Sequence, residues 1–129
     1  ICISTNTLEH FPKKDLKDFL YKIKKVVSKN GLVSSIIDYS DHYSHTDKNI
    51  SSLNFLQFSE KEWEKYNNTY LFQNRLRHQD YKKLFEEYNF IIKDVSPGKV
   101  LVEPEKIDEN FDKNNEETFI GWAYYLIQN

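Results

Sequence analysis

Apolar residues recur at two different periods along this chain, and each change of period marks an element. Residues 1–4, ICIS, form a short apolar run of the kind found in a strand covered on both faces. Pro12 precedes KKDLKDFLYKIKKVVSK, where Leu16, Phe19, Leu20, Ile23, Val26 and Val27 recur at helical spacing with Lys and Asp opposite them. Asn30 and Gly31, which tolerate positive φ, predict the stop of that helix. LVSSIID then predicts a strand over residues 32–38. Strand, helix and strand in succession imply a parallel pair joined by a right-handed crossover.

Residues 39–58 have little periodicity and predict a long loop or a partly helical excursion. Ser59 and Glu62 have the spacing of a capping box, which predicts a helix carrying Trp63, Tyr66 and Tyr70. DYKKLFEEYN places Tyr81, Leu84, Phe85 and Tyr88 on one helical face. FIIKDV predicts a third strand, closed by Ser96, Pro97 and Gly98, and a polar stretch, EKIDENFDKNNEE, predicts loop or short helix. FIGWAYYLIQ predicts the last strand, with Trp122, Tyr124 and Tyr125 expected to pack inside. The order is that of an α/β domain over residues 1–129, with a loop and helical insertion at about residues 39–80.

Composition narrows the class. Aromatic residues make up 16% of the chain, enough to build a core, and a net charge of -2 gives no electrostatic case for nucleic acid or an anionic membrane. No apolar run approaches the roughly 20 residues of a membrane helix. The one cysteine, Cys2, has no partner within the chain and reads as a small buried hydrophobe. A reducing, cytoplasmic setting is expected.

Three stretches, in this order, resemble the C-terminal half of a class I S-adenosylmethionine-dependent methyltransferase. ISTNTLEHF is similar to the strand-then-LEH segment after the fourth strand of that family. KVVSKNG, residues 25–31, is similar to its RVLKPGG-like turn, with Asn30 in place of the first glycine. NRLRHQDYKKLFEEYNFIIKDV is similar to a helix-and-strand segment reading LR…DY…L…AGF, and the closing FIGWAYYLIQ fits an antiparallel last strand. The resemblance spans nearly all 129 residues. It implies the C-terminal half of a Rossmann-like seven-stranded sheet, mostly parallel with the last strand antiparallel, and S-adenosylmethionine as cofactor. The family's glycine-rich cofactor turn has no counterpart, because Gly31, Gly98 and Gly121 are scattered and follow no N-terminal strand. With no Met and an apolar strand at residue 1, the chain is expected to be missing an N-terminal half of the same polypeptide.

Open α/β sheets bind ligands at the carboxyl ends of their strands, which points to residues 4–6 and to Asp38 onward. The resemblance places Thr5, Asn6 and Thr7 against the methionine end of the cofactor. Equally, Asn6 suits a helix cap with Glu9 reaching back. His10 is either a proton acceptor or, more simply, a hydrogen-bonding residue that orients the turn. In DYSDHYSHTD, Asp38 or His42 is suited to take a proton from an acceptor hydroxyl or amine. His42-x-x-His45 with nearby carboxylates has metal-ligand chemistry, but on a loop without helical spacing no metal is expected. His45 and Asp47 read as solvated loop residues, as does Asp41's surrounding segment. Arg75 and Arg77 are each suited to grip an acceptor carboxylate or phosphate, or to pair with an acidic side chain; Arg75 is preferred for the acceptor. Tyr43 is expected in the acceptor wall. The expected partner is a small polar methyl acceptor at O or N, with no nucleic acid and no membrane. Two other readings stay open: a non-catalytic partner that completes its sheet with another chain, and a different nucleotide-binding enzyme such as a reductase.

Overall fold

The helix expected after Pro12 forms over Lys13–Val26 (α1) in the computed structural model, which describes residues 1–129. Pro12 takes the N-cap, where a missing N–H leaves no helical bond unmade. Leu16 and Leu20 are fully buried, whereas Val26, expected on the same face, is exposed as the helix ends. The helix stops earlier than Asn30 and Gly31 predict, at Val26 with Val27 extended as its C-cap. Asn30, left-handed at φ 65, instead makes the turn that leads into the next strand, with Gly31 N donating to Ser28 O.

Four strands follow the apolar runs: β1 (Cys2–Thr5), β2 (Leu32–Asp38), β3 (Ile91–Pro97) and β4 (Trp122–Gln128). Their order in the sheet is β1-β2-β4-β3. β1 and β2 are parallel, with Cys2 opposite Val33 and Thr5 opposite Ile36, as the intervening α1 requires. β4 inserts between β2 and β3 and runs antiparallel to both. The sheet is therefore mixed, with one parallel and two antiparallel ladders, where a mostly parallel one was expected.

Alternation along the strands decides the layers. Val33, Ser35 and Ile37 of β2 and Ala123, Tyr125 and Ile127 of β4 point to one buried face. α1 and α3 (His78–Glu87) cover that face through Leu16, Leu20, Tyr81, Leu84 and Phe85. The opposite face carries no helix. Ile3 is 70% exposed there and Trp122 46%, with Ile36 on the same face in register with Thr5 and Tyr124. Two expectations change accordingly: β1 is an edge strand covered on one side only, and Trp122 is not core.

The expected capping box is present, with Ser59 Oγ accepting from Glu62 N and Glu62 Oε2 accepting from Ser59 N, but the helix it starts is short, Glu60–Trp63 (α2). The chain turns immediately afterwards, where Asn68 Oδ1 accepts from the backbone of Tyr70 and Leu71. Tyr66 and Tyr70 therefore lie off the helix and exposed. Trp63 anchors a second apolar cluster with Leu53, Phe55, Leu56 and Phe119. Ser59→Ala is expected to lower stability by about 1 kcal/mol in urea titration, the usual value of a helix cap. No helix is long and apolar enough to cross a membrane.

Candidate functional site

The parallel pairing of β1 and β2 brings two chain exits side by side. Asn6, just past β1, donates its backbone N–H to Ile36 O at 2.9 Å and turns the chain at φ 46. A 3-10 turn over Leu8–His10 follows, with Leu8 buried in the core beneath it. Asn6 makes no side-chain cap there, and Glu9 points inward and is only 1% exposed. The capping role expected of that pair is thus not the one they have.

Past β2, Asp38 accepts from Ser40 N at 2.8 Å and Ser40 Oγ at 2.7 Å, which bends the chain outward. Asp41 caps a second 3-10 turn, His42–His45, by accepting from Tyr43 N. Residues three apart eclipse in a 3-10 turn. His42 and His45 accordingly stack, with ring centroids 4.9 Å apart. His10 meets the other side of His42 at 5.0 Å.

The result is a compact group of three imidazoles and two carboxylates. Asp38 Oδ2 lies 3.6 Å from His42 Nε2 and 3.7 Å from His45 Nε2, and His45 Nε2 is 3.1 Å from Ser40 Oγ. His45, expected to be solvated, belongs to this group, while Asp47 is exposed and accepts from Asn49. At 3.6 Å the Asp38–His42 contact is an ion pair too long for a hydrogen bond, so His42 Nε2 has no hydrogen-bond partner.

The charges follow from these contacts. Burial acts to raise the Asp38 carboxyl, but the approach of His42 and the two bonds from Ser40 outweigh it and hold it below its ordinary value. Asp38 raises His42 above its ordinary value, against a smaller opposing effect of burial. Burial raises both Glu9 and Asp41. For His42 the sign of linkage is plain. A raised folded value gives stability that is complete below the ordinary 6.5 and lost as pH rises through the folded value. The destabilisation caused by His42→Ala should therefore be larger at about pH 5.5 than at about pH 8.5 in thermal melts, and an equal loss at both would rule the pair out as its source.

The remaining predicted residues are placed elsewhere or otherwise occupied. Thr5, Asn6 and Thr7 do lie at the mouth of the β1 exit, where Thr7 Oγ1 donates to Thr5 O. Asn6, Asp38 and Ser40 line a hollow of about 350 Å³ with Ser52, Leu101 and Trp122. Tyr43 donates its hydroxyl to Tyr66 O at 2.7 Å and packs edge-on to Trp63. Arg75 is buried, donating to the carbonyls of Phe55 and Phe58 and to Glu60 Oε1. Arg77 is buried, donating to the carbonyls of Thr118, Tyr39 and Ile120. Both guanidiniums are committed to this chain's own oxygens and neither faces the hollow beside Asp38. A cleft of about 640 Å³ between α2 and the start of α3 is lined by Arg75 and Arg77 and by none of the three imidazoles.

Three contributors carry no signal of their own in sequence. Gln73 accepts from His42 N at 3.1 Å and donates to Ser40 O, tying the second turn in place. Asn74 does the same for the first, through Glu9 O, Leu8 O and Phe11 O. Glu9 is the third, and adjacency to His10 in LEH is its only hint. Comparison with known proteins finds no matching family model and no matching curated protein.

Proposed function

We propose that this chain is the acceptor-side half of an S-adenosylmethionine-dependent methyltransferase acting on a small polar molecule at O or N. What carries the reading is the convergence of Asn6, Asp38 and His42 at the carboxyl ends of the parallel strands, beside a hollow of about 350 Å³. Ligands of open α/β sheets collect at such an edge. The antiparallel last strand and the three family-like stretches support it further.

These 129 residues do not fit the whole cofactor. The glycines are isolated, and nothing after β1 or β2 forms a glycine-lined cradle for adenosine. Thr5, Asn6 and Thr7 are the residues proposed to meet its methionine end. S-adenosylmethionine, when bound, supplies an electrophilic methyl group. The chain's own part is to hold the acceptor in the hollow and to take its proton. Asp38 and His42 form the proton-accepting pair, with Ser40 fixing the carboxylate.

An apolar hollow of about 310 Å³ beside β1, lined by Cys2, Leu8, Phe19 and Ile23, together with the helix-free sheet face, supports further chain packing there. We assign donor binding to such a segment. In calorimetry, the 129-residue chain alone should bind S-adenosylmethionine weakly or not at all, and a polypeptide carrying the preceding segment should bind it in the micromolar range. Tight binding by the 129 residues would contradict the division of labour, and no binding by the longer polypeptide would end the methyltransferase reading. The exposed edge at β1 also suits a non-catalytic partner completing its sheet with another chain; that protein would bind its partner and never the cofactor.

A further inference from the structure

We propose that Glu9, His10 and His42 hold a divalent first-row transition-metal ion. One ligand atom from each lies within 4.8 Å of the others. Glu9 is the deciding residue: it is 1% exposed, and neither carboxylate oxygen has a hydrogen-bond partner. A buried, unpaired carboxylate is among the most expensive groups a fold can keep, unless a proton or a cation neutralises it, and two imidazoles beside it supply the other ligands a cation needs.

The two histidines are prepared for the same role. His10 Nδ1 lies 2.8 Å from Phe72 O, and a carbonyl only accepts, so the proton sits on Nδ1 and the Nε2 lone pair is left free. A backbone carbonyl on the far nitrogen is the usual way a ligating imidazole is oriented. His42 Nε2 is buried with no hydrogen-bond partner. Both arms are fixed from behind, the first by Asn74 and the second by Gln73. Tetrahedral bonds of about 2.0–2.2 Å bring ligand atoms to roughly 3.5 Å apart, a closure that small side-chain rotations provide.

Two imidazoles and one carboxylate without a thiolate favour Zn²⁺, Fe²⁺ or Co²⁺ over Mg²⁺ and Ca²⁺. A second set, Asp38, His42 and His45, shares His42 but suits an ion less well. Asp38 Oδ1 already accepts two bonds from Ser40, and His45 Nε2 meets the Ser40 hydroxyl, so unlike Glu9 neither is left without a hydrogen-bond partner. The ion site does not rest on the methyltransferase reading. An ion and a proton compete for the same His42 lone pair, so with the ion in place Asp38 alone keeps the proton-accepting role.

The untagged full chain, stripped with EDTA and titrated with Co²⁺ alone in the absence of cofactor, should develop visible d–d absorption that saturates at one ion per chain and is erased by Zn²⁺. Glu9→Gln, nearly isosteric, should weaken Co²⁺ binding by about tenfold or more while its metal-free melting temperature holds or rises. His42→Ala should abolish binding, with circular dichroism reporting whether it folds. His45→Asn should bind within about threefold of wild type. Absence of saturable Co²⁺ absorption, a preference for Mg²⁺ or Ca²⁺, or loss in His45→Asn with Glu9→Gln unaffected would each overturn the proposal.

Discussion

Arg77→Ala is expected to lower the stability of this chain by about 3–5 kcal/mol, from buried carbonyls left without donors together with the cavity left by a large side chain. The guanidinium is only 1% exposed and bonds three carbonyls from segments far apart in sequence: Tyr39 after β2, Thr118, and Ile120 before β4. Burial pushes its pKa down to about 10, so it stays charged at neutral pH. No carboxylate touches it. Carbonyl dipoles and the faces of Tyr39 and Phe55, 5.5 and 5.6 Å away, compensate the charge. Alanine would leave three buried carbonyls without donors and open a cavity between the two apolar clusters. Arg77→Lys keeps the charge but lacks the planar fork that reaches three acceptors, and should recover little. Urea titration and thermal melting check this, with a fall in melting temperature of about 10 °C or more expected. A loss below about 1 kcal/mol would mean that water or other donors replace the guanidinium.

Asp38→Asn carries the largest expected effect on activity. In the proposed methyltransferase, loss of a positioned proton acceptor lowers the turnover rate by about 10²–10⁴-fold. The pH profile separates this from mere damage to the site. His42 accepts a proton only when neutral, and Asp38 raises its pKa above the ordinary 6.5, so the acid limb of the wild-type profile should lie above that value. Asparagine removes the negative charge, and the limb should move to lower pH as the rate falls. Transfer of labelled methyl from S-adenosylmethionine, followed from about pH 5.5 to 9 with the longer polypeptide freed of metal, reads both quantities. An unmoved limb would place the titrating group elsewhere.

Much of the fold was legible because single residues punctuate it. β2 occupies the predicted residues 32–38, since the turn at Asn30 and Gly31 starts it and Asp38 turns the chain after it. The capping box at Ser59 was equally clear, but the length of its helix was not. Asn67 and Asn68 are compatible with either a helix or a turn, and only the burial of Trp63 against Leu53 and Phe55 selects the turn. Val26 and Trp122 have the right residue type and period for burial and are exposed, because what covers an apolar position is decided by tertiary packing and not by local spacing.

The candidate site shows the same division. His10, Asp38 and His42 stood out individually as titratable groups past strand ends. That they touch depends on the parallel register of β1 and β2, which aligns the two exits. Arg75 and Arg77 misled for a physical reason. Of the two uses open to them, Arg75 takes the acidic partner, Glu60, together with the carbonyls of Phe55 and Phe58, while Arg77 bonds backbone carbonyls alone, and carbonyls leave no trace in a sequence. Glu9 is the opposite case: a residue type that normally faces water is turned inward by a short 3-10 turn that its neighbours do not announce.

The placement of β4 between β2 and β3 governs the timing of assembly. Both neighbours leave the ribosome well before residues 122–128, and neither can hydrogen-bond the other across the gap that β4 fills. Nascent chains therefore expose two unpaired strand borders until residues 122–128 arrive, a window in which chaperones or wrong partners compete for them.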